Sequence, residues 1–299
     1  MVNQLVNLAA ERGDKLTVIP YERLQDIKET ILSFGEQEEL NGFTKWIIEN
    51  IYKYEPENAG FTVRSVILVA IPKPFYANVN FSINGLRKTA IGFVKADIGR
   101  VEEYIKSFAE QNGYSILPAT NLPYKRLGVL CGMAEYGRNN ITYIEGFGSN
   151  FAYTAYFSDI MPENFNWFEV NNAELCNSCG LCITECPTGA IKEDRFLIDN
   201  QRCLSCLNEV PDEFPAWLPK EVHHTLYDCL ICQKVCPMNQ SQLDNIMEDI
   251  NFSEEETLML LEGKDISTFP KELSEKVDIL GLAECYEAIP RNLSILLEK

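Results

Sequence analysis

Nine thiols in about one fifth of this chain have the types and spacing to do chemistry. Cys176-Asn-Ser-Cys179-Gly-Leu-Cys182-Ile-Thr-Glu-Cys186-Pro187 spells C-x2-C-x2-C-x3-C-P. That spacing holds cubane iron–sulfur clusters: tight loops aim successive thiolates at neighbouring corners of one cubane, and the cysteine before proline is carried on to a second cluster. Cys229-Leu-Ile-Cys232-Gln-Lys-Val-Cys236-Pro237 repeats the run, with Leu226 where its first cysteine would stand. Interleaving gives one 4Fe–4S cluster Cys176, Cys179, Cys182 and Cys236. It gives the other Cys186, Cys229 and Cys232, one ligand short. Cys203 and Cys206, between the runs, are the two thiols that could complete it. Structural zinc favours isolated C-x2-C pairs and gives no reason for two Cys-Pro endings.

The elements that must position these thiols follow from periodicity. Lys15–Pro20 alternates like an edge strand, and 24–34 and 40–52 place apolar residues at helical spacing. The continuous run Val63–Ile71 predicts a central strand buried on both faces. Residues 79–85 read as a strand running into a turn, 95–112 as an amphipathic helix stopped at Asn112-Gly113, and 114–118 as a short strand. A helix is expected over 123–131, an aromatic-rich strand over 151–157 and a connecting loop over 164–172. Ser253-Glu-Glu-Glu256 is a capping box opening a helix that ends at Gly263. The pattern is α/β over 1–165, a two-cluster ferredoxin-like segment over 166–245 and a helical tail over 246–299.

Composition bounds the partners. The formal net charge is −18, whereas nucleic-acid binding relies on Lys and Arg to neutralise phosphates. This argues against nucleic acid as a partner. The polar N-terminus has no signal-peptide pattern and no stretch reaches membrane-span length. Eleven cysteines without an export signal fit the cytoplasm, where thiols serve metals rather than disulfides. His223 and His224, the only histidines, read as supporting the cluster ligands from behind or as facing solvent; Cys131 and Cys285 read as buried structural thiols.

Two clusters form a short wire, and the front of the chain must supply its terminus. Gly132-Met-Ala-Glu-Tyr-Gly-Arg-Asn-Asn140 and the turn at Gly148-Ser149 are the candidate cofactor floor, since glycines let backbone approach a large ligand. Arg138, Asn139 and Asn140 add donors. The same glycines and asparagines also suit an ordinary turn. No dinucleotide or NTPase fingerprint is present.

The glycine stretch, the Gly-Ser turn, the run Cys176–Ala190, Arg202-Cys203-Leu204 and the run Cys229–Asn239 together resemble the epoxyqueuosine reductase family. That family is related to the reductive dehalogenases and carries a double 4Fe–4S domain. The resemblance implies an α+β chain whose nitroreductase-like first domain holds cobalamin, with flavin as the alternative cofactor of that fold. It implies cofactor contacts at Gly132, Tyr136, Gly137, Arg138, Asn139, Asn140, Gly148 and Ser149, and Cys203 as the missing cluster ligand. The implied activity is reduction of a small molecule by a corrinoid, fed by a low-potential donor of the ferredoxin or flavodoxin type. The alternative is an electron-transfer protein that activates another corrinoid or redox protein. Residues 118–126 have no carboxylate where the family places an aspartate proton donor, so Tyr136, with Tyr124 or Arg138, is expected in that role. The family's helical-repeat region is represented by the short tail.

Overall fold

The computed structural model describes residues 1–36, 40–163, 165–170, 172–194 and 196–298. Asn164 and Asn171, within the expected 164–172 loop, lie outside the described residues. The chain forms two compact units, Met1–Pro72 with Ala96–Cys179, and Lys73–Lys95 with Gly180–Lys299. This divides the chain differently from the consecutive spans 1–165, 166–245 and 246–299, because strand pairing rather than chain order gathers each core. The mixed α+β class agrees with expectation.

In the first unit, β1 (Lys15–Pro20), β2 (Ser65–Pro72), β8 (Phe151–Ser158) and β5 (Ile116–Pro118) make a sheet in the order β1-β2-β8-β5. Each neighbouring pair is antiparallel. β2 is buried on both faces, which explains its uninterrupted apolar run. Ile67, Val69 and Ile71 pack with residues of α1 (Val2–Ala10) and α4 (Ile98–Asn112). Val66 and Leu68 pack with α2 (Arg23–Gly35), α3 (Gly42–Asn50) and α5 (Tyr124–Leu130). Each such buried side chain contributes about 1.5–3 kcal/mol.

Helix α4 starts where the Asp97 side chain accepts from the Arg100 N–H, and it stops at Gly113, whose φ of 73° is left-handed. Arg100 donates to both oxygens of Asp14, at 3.0 and 2.7 Å, and Tyr104 Oη adds a third hydrogen bond at 2.9 Å. These bonds tie α4 to the residue before β1. A small hairpin, β6 (Glu135–Tyr136) with β7 (Thr142–Tyr143), follows α5.

In the second unit, β3 (Ala77–Ile83) and β4 (Leu86–Gly92) form a hairpin. Its turn is Asn84-Gly85, with φ of 50° and 72°, the positive pair that matches strand twist in two-residue loops. β9 (Met247–Phe252) runs parallel to β3. Phe81 stacks on Phe252 with centroids 5.1 Å apart. Their core is closed by α9 (Glu254–Leu261), α10 (Lys271–Ile279) and α11 (Ile289–Glu298). The capping box at Ser253 and Glu256 is formed as the sequence predicts. The cysteine runs carry three short helices, α6 (Leu181–Thr184), α7 (Leu204–Glu209) and α8 (Ile231–Lys234). No helix among the described residues is long and apolar enough to cross a membrane.

Candidate redox site

The two cysteine runs fold alike. In the first, Gly180 O accepts from Ile183 and Thr184, Leu181 O from Glu185, and Ile183 O from Cys186. In the second, Leu230 O accepts from Gln233 and Lys234, Ile231 O from Val235, and Gln233 O from Cys236. The sequence repeat is therefore a repeat of one turn, α6 and then α8, each presenting a cysteine inside the turn and one before proline. All eleven cysteines are free of disulfides.

Leu226, where the second run lacks its cysteine, is fully buried in the core of the second unit. Its N–H donates to Ile91 O, and its carbonyl accepts from Asn292. That position has been given to packing, so a fourth thiol for the second cluster has to come from elsewhere.

Cys203, one of the two thiols between the runs, lies near Cys229. Cys229 lies close enough to both Cys203 and Cys186 for their charges to bear on it. Cys203 stands at the N-cap of α7, and two hydrogen bonds fasten that helix to the loop before Cys229. Ser205 Oγ donates to Asp228 Oδ1 at 2.8 Å, and Asn208 Nδ2 donates to Asp228 O at 2.9 Å. Arg202 fastens the other side, its Nε donating to Thr188 O at 2.8 Å while its guanidinium lies over Trp217. The Arg202-Cys203-Leu204 motif thus has a mechanical reason. The arginine ties the Cys203 segment to the Cys186 loop, and Leu204 is buried.

N–H groups point at these sulfurs. Cys186 receives those of Thr188, Ala190 and Ile191 and the Thr188 hydroxyl; burial opposes them, yet its thiol sits below the ordinary range. Cys203 receives the Cys206 side chain first, then the N–H groups of Cys206 and Ser205, and is likewise drawn down. Burial pushes the Cys229 thiol up to about 12, against a bond from Ile231 N–H. Among the described residues no three Cys, His, Asp or Glu side chains are grouped to share a single ion. A lone zinc would need its sulfurs about 3.8 Å apart, given Zn–S bonds of about 2.3 Å.

The other cysteines of the runs are placed as follows. Cys176 is buried in a 3-10 turn, Glu174–Asn177, at the end of the first unit, and Cys179 follows it half-buried. Cys182 lies in α6, Cys232 in α8 and Cys236 just after α8. His223 is buried rather than solvent-facing, its ring 4.4 Å from Phe214. Sequence reasoning passed over Lys73. It is 7% exposed, its ammonium lies 3.5 Å over the Phe93 ring, and burial lowers its pKa to about 8 while Asp228 pulls the other way. Set between two prolines, it carries no periodic signal.

In the first unit the glycine stretch is a self-supporting loop. Gly132 has φ +75°, and a Cβ there would lie 2.6 Å from Phe168. A Cβ on Gly137 would lie 2.6 Å from both Asn139 and Tyr143. Gly137 donates to Ile141 O, and Asn140, at φ 60°, donates to Gly137 O. Asn139 is buried, with Nδ2 donating to Tyr143 Oη at 2.8 Å. Arg138 donates to Cys176 O at 3.1 Å, and Lys125 to Asn140 O at 3.1 Å. Gly148, at φ 59°, exchanges backbone hydrogen bonds with Ile144 and precedes half-buried Ser149. The glycines thus have local reasons of their own, independent of any ligand.

Several polar side chains of the first unit are buried. Burial raises the Tyr136 phenol well above its ordinary range; Arg126 opposes and Tyr52 reinforces the shift. Tyr153 is raised by burial too, beside Thr142, Cys131 and Tyr136. Tyr54 Oη, Arg126 Nε and both amide atoms of Asn150 are buried without a hydrogen-bond partner among the described residues. Buried polar groups are normally satisfied, so each such atom points to a missing partner. These residues lie scattered over the chain with no shared spacing, and the sequence reading did not gather them.

Residues 175–239 match the 4Fe-4S double cluster binding domain family; this region defines the class, a double-cluster iron–sulfur protein. The chain is similar to the epoxyqueuosine reductase of Cyclobacterium marinum, 24% identical over 197 residues, covering 66% of this chain and 59% of that protein. It is similar to that of Bacillus subtilis, 24% identical over 256 residues, covering 80% of this chain and 64% of the relative. It therefore spans about three fifths of these relatives' length. An epoxyqueuosine reductase crystal structure with a tRNA-Tyr stem loop superposes with a TM-score of 0.65 at 19% identity, covering 99% of this chain and 82% of that one. The resemblance read from the cysteine runs is borne out. The expectation against nucleic acid, drawn from total charge alone, meets a counter-example in that neighbour: a chain of this fold sits on an RNA stem loop.

Proposed function

We propose that this chain is an oxidoreductase that carries electrons through two 4Fe–4S clusters to a corrinoid in its first unit and so reduces an electrophilic substrate. The observation that carries the reading is the gathering of Cys186, Cys203 and Cys229, with N–H groups aimed at their sulfurs. Cys186, Cys203, Cys229 and Cys232 would hold one cluster, and Cys176, Cys179, Cys182 and Cys236 the other. Hydrogen bonds to ligand sulfurs raise a cluster's potential, and burial tunes it further. Here that work falls to the amides of Thr188, Ala190, Ile191, Ser205, Cys206 and Ile231.

A corrinoid would fit the first unit on one count: Tyr54 Oη, Arg126 Nε and the Asn150 amide are buried donors and acceptors without partners among the described residues, suited to a group rimmed with amides. When bound it supplies the electron-rich centre that attacks the substrate. Gly132, Tyr136, Gly137, Arg138, Asn139, Asn140, Gly148 and Ser149 frame that seat. Tyr136 holds the proton. Its phenol carries a proton at neutral pH and, buried beside the loop, donates it to the substrate oxygen on which negative charge develops. Arg138, donating to Cys176 O, orients the loop.

The relatives are named for an epoxide-bearing nucleoside, and we take that chemistry, free or within tRNA, as the substrate class. With a net charge of −18, an RNA substrate would need a local cationic surface. The donor is a small low-potential protein of the ferredoxin or flavodoxin type, and the compartment the reducing cytoplasm.

The test is anaerobic purification from cells supplied with cobalamin, followed by iron, sulfide and corrinoid quantitation. About eight iron atoms, two cubanes, and one corrinoid per chain are expected. Full clusters without corrinoid would favour an activator of another protein, and bound flavin would replace the proposed cofactor. Loaded protein is then given epoxyqueuosine as nucleoside and in tRNA, with mass spectrometry of the product. Tyr136→Phe should lose about 10²–10⁴-fold in turnover; full activity removes Tyr136 as proton source.

A further inference from the structure

Helix α7 carries two thiols where the second cluster needs one. We propose that Cys206 is a reserve ligand: its sulfur takes the corner held by Cys203 whenever Cys203 leaves the iron. The inference rests on the cluster reading above.

Cys203 is the N-cap of α7, and Cys206 lies three residues on, so both side chains share one face of the first turn. The two side chains are hydrogen-bonding neighbours, and both are half-buried. Thiolates on separate corners of a cubane stand farther apart than one S–H···S contact. The pair therefore serves a single corner, with one sulfur on iron and the other beside it. The backbone that carries Cys206 is as firmly placed as that of Cys203. Ser205 and Asn208, flanking it, both bond to Asp228, and Asn292 Nδ2 donates to Asn208 O at 2.8 Å. Exchange needs rotation about side-chain bonds alone. The chemistry balances without electrons: the Fe–S bond to Cys203 breaks, one to Cys206 forms, and the Cys206 proton passes to the departing Cys203 thiolate.

The test compares wild type, Cys203→Ala, Cys206→Ala and the double variant, each reconstituted anaerobically with iron and sulfide. Iron is counted, and alkylation of Cys206 by iodoacetamide is followed by peptide mass spectrometry. Wild type and both single variants should hold about eight iron atoms, and the double variant about seven, with the magnetic-resonance signal of a three-iron cluster. Cys206 should be alkylated in loaded wild type and at least about tenfold more slowly in loaded Cys203→Ala, because a sulfur bound to iron is no longer a free thiolate. Cys203→Ser provides a second version should the alanine variant fold poorly. A Cys203 variant that drops to about seven iron atoms, or whose Cys206 stays as reactive as in wild type, overturns the proposal. Wild type that never reaches about eight would instead fault the two-cluster reading.

Discussion

Replacing Gly128 by alanine sets two opposing effects against each other. Gly128 lies inside α5, where alanine is intrinsically better by about 0.8–1.0 kcal/mol. A Cβ there, however, would stand 2.3 Å from Tyr153 Oη and 2.8 Å from its Cζ. The phenol must then move by about 1 Å to reach ordinary van der Waals separation. It is not free to do so: the ring packs edge-on against Phe151, centroids 4.9 Å apart, and tilted against Tyr124 at 6.5 Å. Overpacking of a filled interior costs about 1–3 kcal/mol, so the clash wins and the net loss is about 1–2 kcal/mol. For a unit of this size that lowers Tm by roughly 2–8 °C. Displacing Tyr153 also disturbs its neighbours Thr142 and Tyr136. The decisive assay is a double-mutant cycle by thermal or denaturant unfolding. In a Tyr153→Ala background the clash is gone and Gly128→Ala should become stabilising, by about 1 kcal/mol. If Gly128→Ala stabilises the wild type, or costs the same in both backgrounds, the steric argument fails.

Other outcomes follow from single contacts. Asp14→Asn keeps the size of a fully buried side chain but removes the charge that Arg100 grips with two hydrogen bonds. Because Arg100 is partly hydrated and can be resolvated, the cost in an unfolding titration should be about 2–3 kcal/mol rather than the 3–5 of a wholly buried pair; a loss under about 0.5 kcal/mol would show the pair to be idle. Arg202→Leu cuts the link from the Cys203 segment to Thr188 O, and iron should fall from about eight atoms per chain toward about four, the other cubane surviving; unchanged iron would deny Arg202 its clamp role. Burial raises the Cys131 thiol to about 11 from the usual 9. The protonated form is thus favoured by folding: its contribution is complete below pH 9 and is lost as pH climbs toward 11. Folded protein at pH 8 should leave Cys131 unalkylated, and rapid labelling there would contradict its burial.

Much of this was legible from residues. β2 announced itself because a strand covered on both faces must be apolar throughout, and α4 because its stripe ends on a glycine able to turn left-handed. The cysteine runs declared the clusters because iron geometry dictates the spacing. β9 was not legible. In Met-Glu-Asp-Ile-Asn-Phe only Ile250 and Phe252 are buried, and the partner β3 lies far upstream, so neither local pattern nor neighbouring sequence marks it. The choice between Cys203 and Cys206 was equally closed to spacing, since both thiols lie at the start of α7. The glycine stretch points the other way: a ligand-like sequence proved to have packing reasons at Gly132 and Gly137, while Tyr54, Arg126 and Asn150, the atoms left wanting a partner, share no motif.

The β3–β4 hairpin leaves the chain order of the second unit broken, and this has a consequence on the ribosome. The hairpin is synthesised early, but the strand that pairs with β3 is Met247–Phe252. At about 5–20 residues per second, the apolar flank of Val79 and Phe81 waits roughly 8–30 s for its partner. Over that interval the nascent chain presents an unpaired strand edge, the kind of surface that chaperones shield. The first unit, whose residues end at Cys179, can close meanwhile, so synthesis would deliver one folded body trailing an unfinished second.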